Sequence, residues 1–454
     1  MFETQLAALN EAPPPGFAQA LDLVTGFDDA LANGFARLGE ERAEALTELA
    51  AAVAATPLGP LSAEAADKIT AGSIGEEHVT ALAGARTTLL GAVHDALLAR
   101  LDTALGRTRA PWAGAQPRQA EPLAAAARSW LTELAITGWR GVDHELASSA
   151  DQAIQGMLAE PRLRRAAVLL DGLAAELRAS SPVGAMERLP ARRWADMWAR
   201  ALLLTQTGAP AGGEEVSGRL LPLGVDIHEH GTAVQIQLHA ILEPHGTLVR
   251  TSVAAAKVDT IAGPFIWQLF QDHPILIGAL AKHLSLEITG MTLLPGGDLL
   301  WNDAKASAGE YADPFAAARV QLGGASAPAT PPLERHPVRI AEPVLVEGYA
   351  TDGAVMRFGA AELPFDLDRL PQSGPLTPQL LKASAACIGL LRWDGGQWRL
   401  QPLAVQAKVK KDLVAAHNGD WAQGPTDQKV LKSGAKAGDP VSVLKERAGR
   451  LLRK

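Results

Sequence analysis

At 454 residues the chain exceeds what one core usually fills, so two or three domains are expected, and its 47% apolar to 20% charged balance is that of a globular protein. The single cysteine, Cys387, excludes an internal disulfide and any multi-cysteine zinc site. The net charge of -8 argues against a general polyanion binder, although residues 406–454 hold 11 Lys and Arg against 5 Asp and Glu, or +6, which leaves -14 for the rest.

High Ala, Gly and Pro content points to a GC-rich bacterial source. The opening MFETQLAALNEAPPPGF has an acid where a signal peptide needs a basic start and an apolar run. The most apolar long window, Pro264 to Leu280, is broken by Gln268, Gln271, Asp272 and His273, which excludes a membrane span there. A cytoplasmic protein without a membrane partner is expected.

From Phe27 to Thr56 the spacing of Leu31, Phe35, Leu38, Leu46, Leu49 and Val53 predicts one amphipathic helix, ended by Pro57 and Pro60. Ser73 followed by Glu76 resembles a capping box and opens a second long helix through Leu101. Thr108 to Pro122 reads as a loop or linker. Helical segments follow at Pro122–Ile136, Val142–Leu158, Arg162–Ala179 and Ala191–Thr205. Residues 1–206 therefore form an α-helical domain. In its last helix Trp194, Trp198 and Leu202 recur every four residues, the spacing of a core stripe; the competing reading is a partner-facing aromatic anchor.

Thr207 to Gly218 is a linker by composition. Beyond it, strand-like runs at Arg219–Asp226, Thr232–Leu242 and Thr247–Val258 precede a helical segment at Pro264–His283, and two more runs follow at Ser285–Leu294 and Asp298–Trp301. Gly224 inside the first run marks a bulge or sharp bend, while Glu243–Gly246 and Pro295–Asp298 read as hairpin turns. Three strands, a helix and two strands is an order that resembles the OB-type small barrel. Residues 216–303 are assigned to this barrel-like domain with a helical insert. A second linker at Gly323–Pro332 leads to residues 335–406, where a similar order recurs in smaller form: runs at Val338–Glu347, Ala354–Phe358 and Glu362–Phe365, a helix at Thr377–Ser384, and runs at Ala386–Trp393 and Gln397–Ala404. The expected fold is α+β: a helical domain, two small β-rich barrels of OB-like topology, and a basic tail over 407–454.

The chemistry-bearing patterns are few. The sequence holds no P-loop, no Gly-x-Ser-x-Gly elbow, no His-Glu-x-x-His and no Gly-x-Gly-x-x-Gly after a strand. His228 and His230 alternate along one strand face and His239 lies on the next run, so these three are the weak metal candidates; their place beside the Gly231 turn favours solvated polar residues, and no metal or other cofactor is expected. Lys257 and Asp259 read as an ion pair at a barrel rim. Cys387, in an apolar run, reads as a small buried hydrophobe. Candidate partner-binding residues are Trp194 and Trp198, then Arg392, Trp393 and Trp398 in the second barrel, and Lys445, Arg447, Arg450 and Arg453 in the basic tail helix.

The expected function is a non-catalytic interaction protein, an accessory or scaffold subunit with protein partners. Any ATPase it serves is supplied in trans. Two alternatives stand beside it. One is a single-stranded nucleic-acid binder using the second barrel and tail. The other is an enzyme with a site between the helical domain and the first barrel, where His228, His230, Lys257 and Asp259 would converge.

Overall fold

In the computed structural model the described residues are 3–113, 122–160, 163–207, 212–230, 233–258, 260–409, 412–426 and 430. The chain is α+β, helical first and sheet-forming afterwards. Among the described residues, the helices up to position 207 are α1 (Glu3–Leu9), α2 (Phe17–Asn33), α3 (Glu40–Ala52), α4 (Gly59–Thr70), α5 (Glu76–Leu105), α6 (Ala125–Thr137), α7 (His144–Ser148), α8 (Asp151–Ala159), α9 (Arg164–Ala179) and α10 (Ala191–Thr207).

The single helix expected over Phe27–Thr56 is two, α2 and α3. Gly34 separates them with φ at 86°, and a Cβ there would lie 2.5 Å from the Thr137 carbonyl oxygen at the end of α6. A tertiary crossing thus overrides a helical pattern. Pro60 starts α4 rather than stopping a helix. At α5 the cap is Gly75, not Ser73, and its N–H donates to His78 Nδ1 at 3.2 Å. The apolar stripes of α2, α3, α5, α6, α9 and α10 close one core containing Phe27, Trp139, Trp194 and Trp198.

Two β regions follow. The first comprises β1 (Glu214–Glu229), β2 (Ala233–Glu243), β3 (Thr247–Ala256), α11 (Pro274–Lys282), β4 (Leu284–Leu293), β5 (Asp298–Leu300), β6 (Ala306–Tyr311) and α12 (Pro314–Ala317). Antiparallel pairings join β1 to β2 and β2 to β3. β5 runs parallel to β3 and antiparallel to β4. Since β4 also pairs with β1, the hydrogen bonding returns to its starting strand. The β1–β2 register shifts between Pro222 and Gly224, where an irregularity was expected.

The second region comprises β7 (Glu342–Glu347), β8 (Ala350–Thr351), β9 (Val355–Phe358), β10 (Ala361–Pro364), α13 (Pro378–Lys382), β11 (Ser384–Asp394), β12 (Gln397–Val409) and β13 (Asp412–His417). One sheet runs β13-β12-β11-β7 and a smaller one β10-β9-β8, linked by a parallel bridge from Phe365 to Leu400. The sheet therefore continues past residue 406 through β13, inside the stretch expected to be tail. Beyond β13, Trp421 and Ala422 enter the core of the first β region.

The stretches expected to be free linkers are pinned in their described parts. Ala110 N–H donates to the Ala327 carbonyl at 3.0 Å, and Ala327 N–H donates back to Thr108 at 2.8 Å. Ser326 bridges to β3 through the Leu248 N–H at 2.8 Å. Glu214, placed by composition in another linker, already belongs to β1.

Candidate functional site

The most concentrated polar arrangement lies where β1 of the first region meets β11 and β12 of the second. It begins with a close approach: a Cβ on Gly224 would lie 2.6 Å from Leu403 Cβ, so only glycine lets the two strands come this near. Two residues along β1, Asp226 is buried facing the second region. Its Oδ2 accepts from Arg392 Nη2 at 2.8 Å and its Oδ1 from Gln401 Nε2 at 2.6 Å. Arg392 Nε donates in turn to Gln401 Oε1 at 2.5 Å, closing a three-membered ring of side chains. His228 Nε2 lies 2.9 Å from the same carboxylate. Asn418 completes the joint by donating to the carbonyls of Val225 and Pro402 at 3.1 and 3.3 Å.

The electrostatics follow from this geometry. Burial acts to raise the Asp226 pKa, but the hydrogen bond and charge of His228 and the charge of Arg392 outweigh it, holding the carboxyl well below its usual range. His239 is fully buried beside the ring. Burial lowers its pKa to about 4 against the pull of Asp226, with Arg250 and Arg392 adding to the lowering, and its Nε2 has no hydrogen-bond partner. It is a neutral histidine at neutral pH. The ring as a whole is charge-matched and hydrogen-bonded, which is what a buried ion pair needs to persist.

The residues singled out in the sequence divide clearly by place. His228 and His239 both approach Asp226, whereas His230 follows β1 with its N–H bonded to the Ala233 carbonyl. Among the described residues no group of three or more His, Cys, Asp or Glu side chains could hold a metal ion. Lys257 pairs with Glu229 at 3.2 Å, and Asp259, its expected partner, lies outside the described residues. Cys387 is buried, and burial pushes its thiol pKa up, as for an inert core residue.

Trp194 and Trp198 are in the helical core. Trp194 Nε1 donates to Glu176 Oε2 at 2.9 Å and Trp198 Nε1 to the Leu131 carbonyl at 2.8 Å. The partner-anchor reading of this stripe is corrected: neither indole is on the surface. Trp393 and Trp398 are buried as a T-shaped pair at 5.2 Å, with Phe17 of α2 against Trp393 at 5.7 Å. With Arg392 in the ring, none of the described partner candidates is free to meet a partner; they join parts of this chain instead. Lys445, Arg447, Arg450 and Arg453 lie outside the described residues.

One cleft among the described residues is lined by paired charges. Formed by Asp95, Asp102, Arg109, Trp112 and Arg335, it measures about 220 Å³, with Arg109 paired to Asp102 at 2.7 Å and Arg335 to Asp95 at 3.0 Å. Comparisons with protein families, with curated proteins and with solved structures found no match for this chain.

Sequence reasoning missed Asp226, Gln401 and Asn418 as a set. The available signal was a charge directly after an apolar run in each strand, Asp226 after Leu220–Val225 and Arg392 after Ile388–Leu391. Two opposite charges so placed must each find a buried partner.

Proposed function

We propose that this chain is a non-catalytic interaction protein, an accessory or scaffold subunit of a bacterial cytoplasmic assembly, and that its β regions are two OB-type barrels in tandem. The barrel reading is supported by the return of pairing from β4 to β1 and the parallel β3–β5 contact, with α11 between β3 and β4. The second region supports a duplication: β7 pairs with β11, β11 with β12, and the bridge from Phe365 to Leu400 is parallel.

The observation that carries the scaffold reading is the Asp226–Arg392–Gln401 ring. Its buried acid, guanidinium and amide are engaged in holding two regions in one fixed relation, as a platform needs. The outer strand β13 also leaves Leu413 and Val414 exposed, apolar surface of the kind a protein partner covers.

The test is affinity purification from the native host, with and without nuclease, of the full chain and of a version ending at Val430. Ending the chain at Gln406 would remove β13, Asn418 and Trp421 from the fold. A stoichiometric protein partner that survives nuclease supports the reading. Nucleic acid that co-purifies with the full chain and is lost with the tail overturns it.

A further inference from the structure

A second buried joint lies where the helical region meets residues 332–340, with His336 at 3.7 Å from Asp196. Its buried guanidinium groups are matched, Arg86 by Asp28 at 2.6 Å and Arg200 by Asp196 at 3.6 Å. The α2–α3 side of the same region is different. The two helices touch where a Cβ on Gly26 would lie 3.1 Å from Ala45 Cβ, and both residues line a groove of about 480 Å³. Leu23, Gly26 and Ala45 form its half-buried floor, Ala52 extends the apolar surface, and exposed Asp22 and Glu48 edge it from opposite walls.

The acids of this groove have no cation beside them. Glu41 and Glu44 are also exposed on α3, and among the described residues none of Asp22, Glu41, Glu44 and Glu48 forms an ion pair. The nearby Arg42 is held by Asp29 at 2.7 Å. Other clefts differ: the charges at Asp95 and Arg335 are paired, and a cleft of about 400 Å³ between Leu293, Pro295 and Pro328 carries Glu214 alone. An apolar floor with unpaired acids on both walls calls for an apolar stripe with cations on both flanks.

We propose that this groove is the seat of residues 441–454 of the same chain. Residues 431–454 hold seven Lys and Arg against two Asp and Glu, or +5. Val441, Leu444, Ala448 and Leu451 recur at helical spacing, a stripe for the floor, and Lys445, Arg447 and Arg450 flank it to meet the acids. Exposed ion pairs are individually weak, so the apolar floor supplies the attraction and the charges select the occupant. The path is short. Val430 packs on the core that contains Val225; the adjacent Asp226 binds Arg392; Trp393 meets Phe17 at 5.7 Å; and the groove opens two residues on, at Gln19. Residues 431–440 alone span up to about 33 Å when extended. The inference is independent of the scaffold reading, which rests on the ring between the β regions.

The experiment is cross-linking within the full chain at low protein concentration. Ala51→Cys with Ala448→Cys puts one thiol at the groove and one on the segment, and the native Cys387 is buried. A short bis-maleimide should join the two positions within one chain, as read by peptide mapping. The control pair, Val168→Cys on the exposed face of α9 with Ala448→Cys, should link far less. Adding Asp22→Lys and Glu48→Lys, both at exposed positions, should cut the yield about five- to tenfold, and Arg447→Glu with Arg450→Glu should then restore it. Equal linking to position 168, a yield that the charge reversal leaves unchanged, or links found only between two chains overturns the proposal.

Discussion

The two buried joints use the same kinds of side chain with different closeness of fit. Between the β regions, one carboxylate meets one guanidinium and one amide, and their donors and acceptors are matched. Between the helical region and residues 332–340, the buried Arg86 and Arg200 are matched by Asp28 and Asp196, but the second contact is long at 3.6 Å and Arg200 Nε is left without an acceptor. The first joint is tightly fastened and the second loosely. Burial alone does not distinguish the two, whereas counting partners does.

The comparison breaks most visibly at Asp226. Asp226→Ala strands Arg392 in the interior and should cost about 3–5 kcal/mol in denaturant unfolding, whereas the triple change Asp226→Leu, Arg392→Met, Gln401→Leu should recover most of that loss. A second test sets the two joints side by side. Arg392→Met, which strands Asp226, should destabilise by about 3 kcal/mol or more, while Arg200→Met should cost about 1–2 kcal/mol, because its contact with Asp196 is long and Asp196 is less deeply buried than Asp226. Equal effects would dissolve the distinction.

Acid sharpens it further. His239 and His336 each have a folded pKa of about 4, below the usual 6.5, so the unfolded chain binds more protons between those values. Stability contributed by their neutral forms is fully present above pH 6.5 and is lost as pH falls towards 4. His239→Gln or His336→Gln should each flatten the stability profile in that window, by up to about 1.4 kcal/mol per pH unit. A comparable effect is expected of Gly224→Ala, where the new methyl meets Leu403. It should cost about 1–3 kcal/mol, and Leu403→Ala should relieve part of it in a double-mutant cycle.

What was legible in the sequence was local. Helical periodicity placed α5, α9 and α10 within a few residues, and alternation with turn residues placed β2, β3 and β4. The hairpins at Glu243–Gly246 and Pro295–Asp298 stand where their glycines and prolines put them. Segments whose structure depends on distant neighbours were misread. Gly34 breaks a helix because α6 passes against it. β6 (ASAGEY) has no apolar alternation and exists through its pairing with β4. Asn418–Trp421 fell within the stretch read as basic tail, yet Trp421 belongs to the core of the first β region. The joints were the least legible, since Asp226 and Arg392 are 166 positions apart and Asp28 and Arg192 are 164 apart. Nothing local announces such pairs except a charge in an apolar run.

That separation also has a history in the making of each molecule. At ordinary synthesis rates Asp226 leaves the ribosome roughly 10–30 s before Arg392 does. For that interval the first β region carries an acid shaped for burial and a bare glycine notch at Gly224, with no second region to fill either. The half-made chain is thus a distinct species with its own exposed face, and its safe passage depends on the order in which its parts are born.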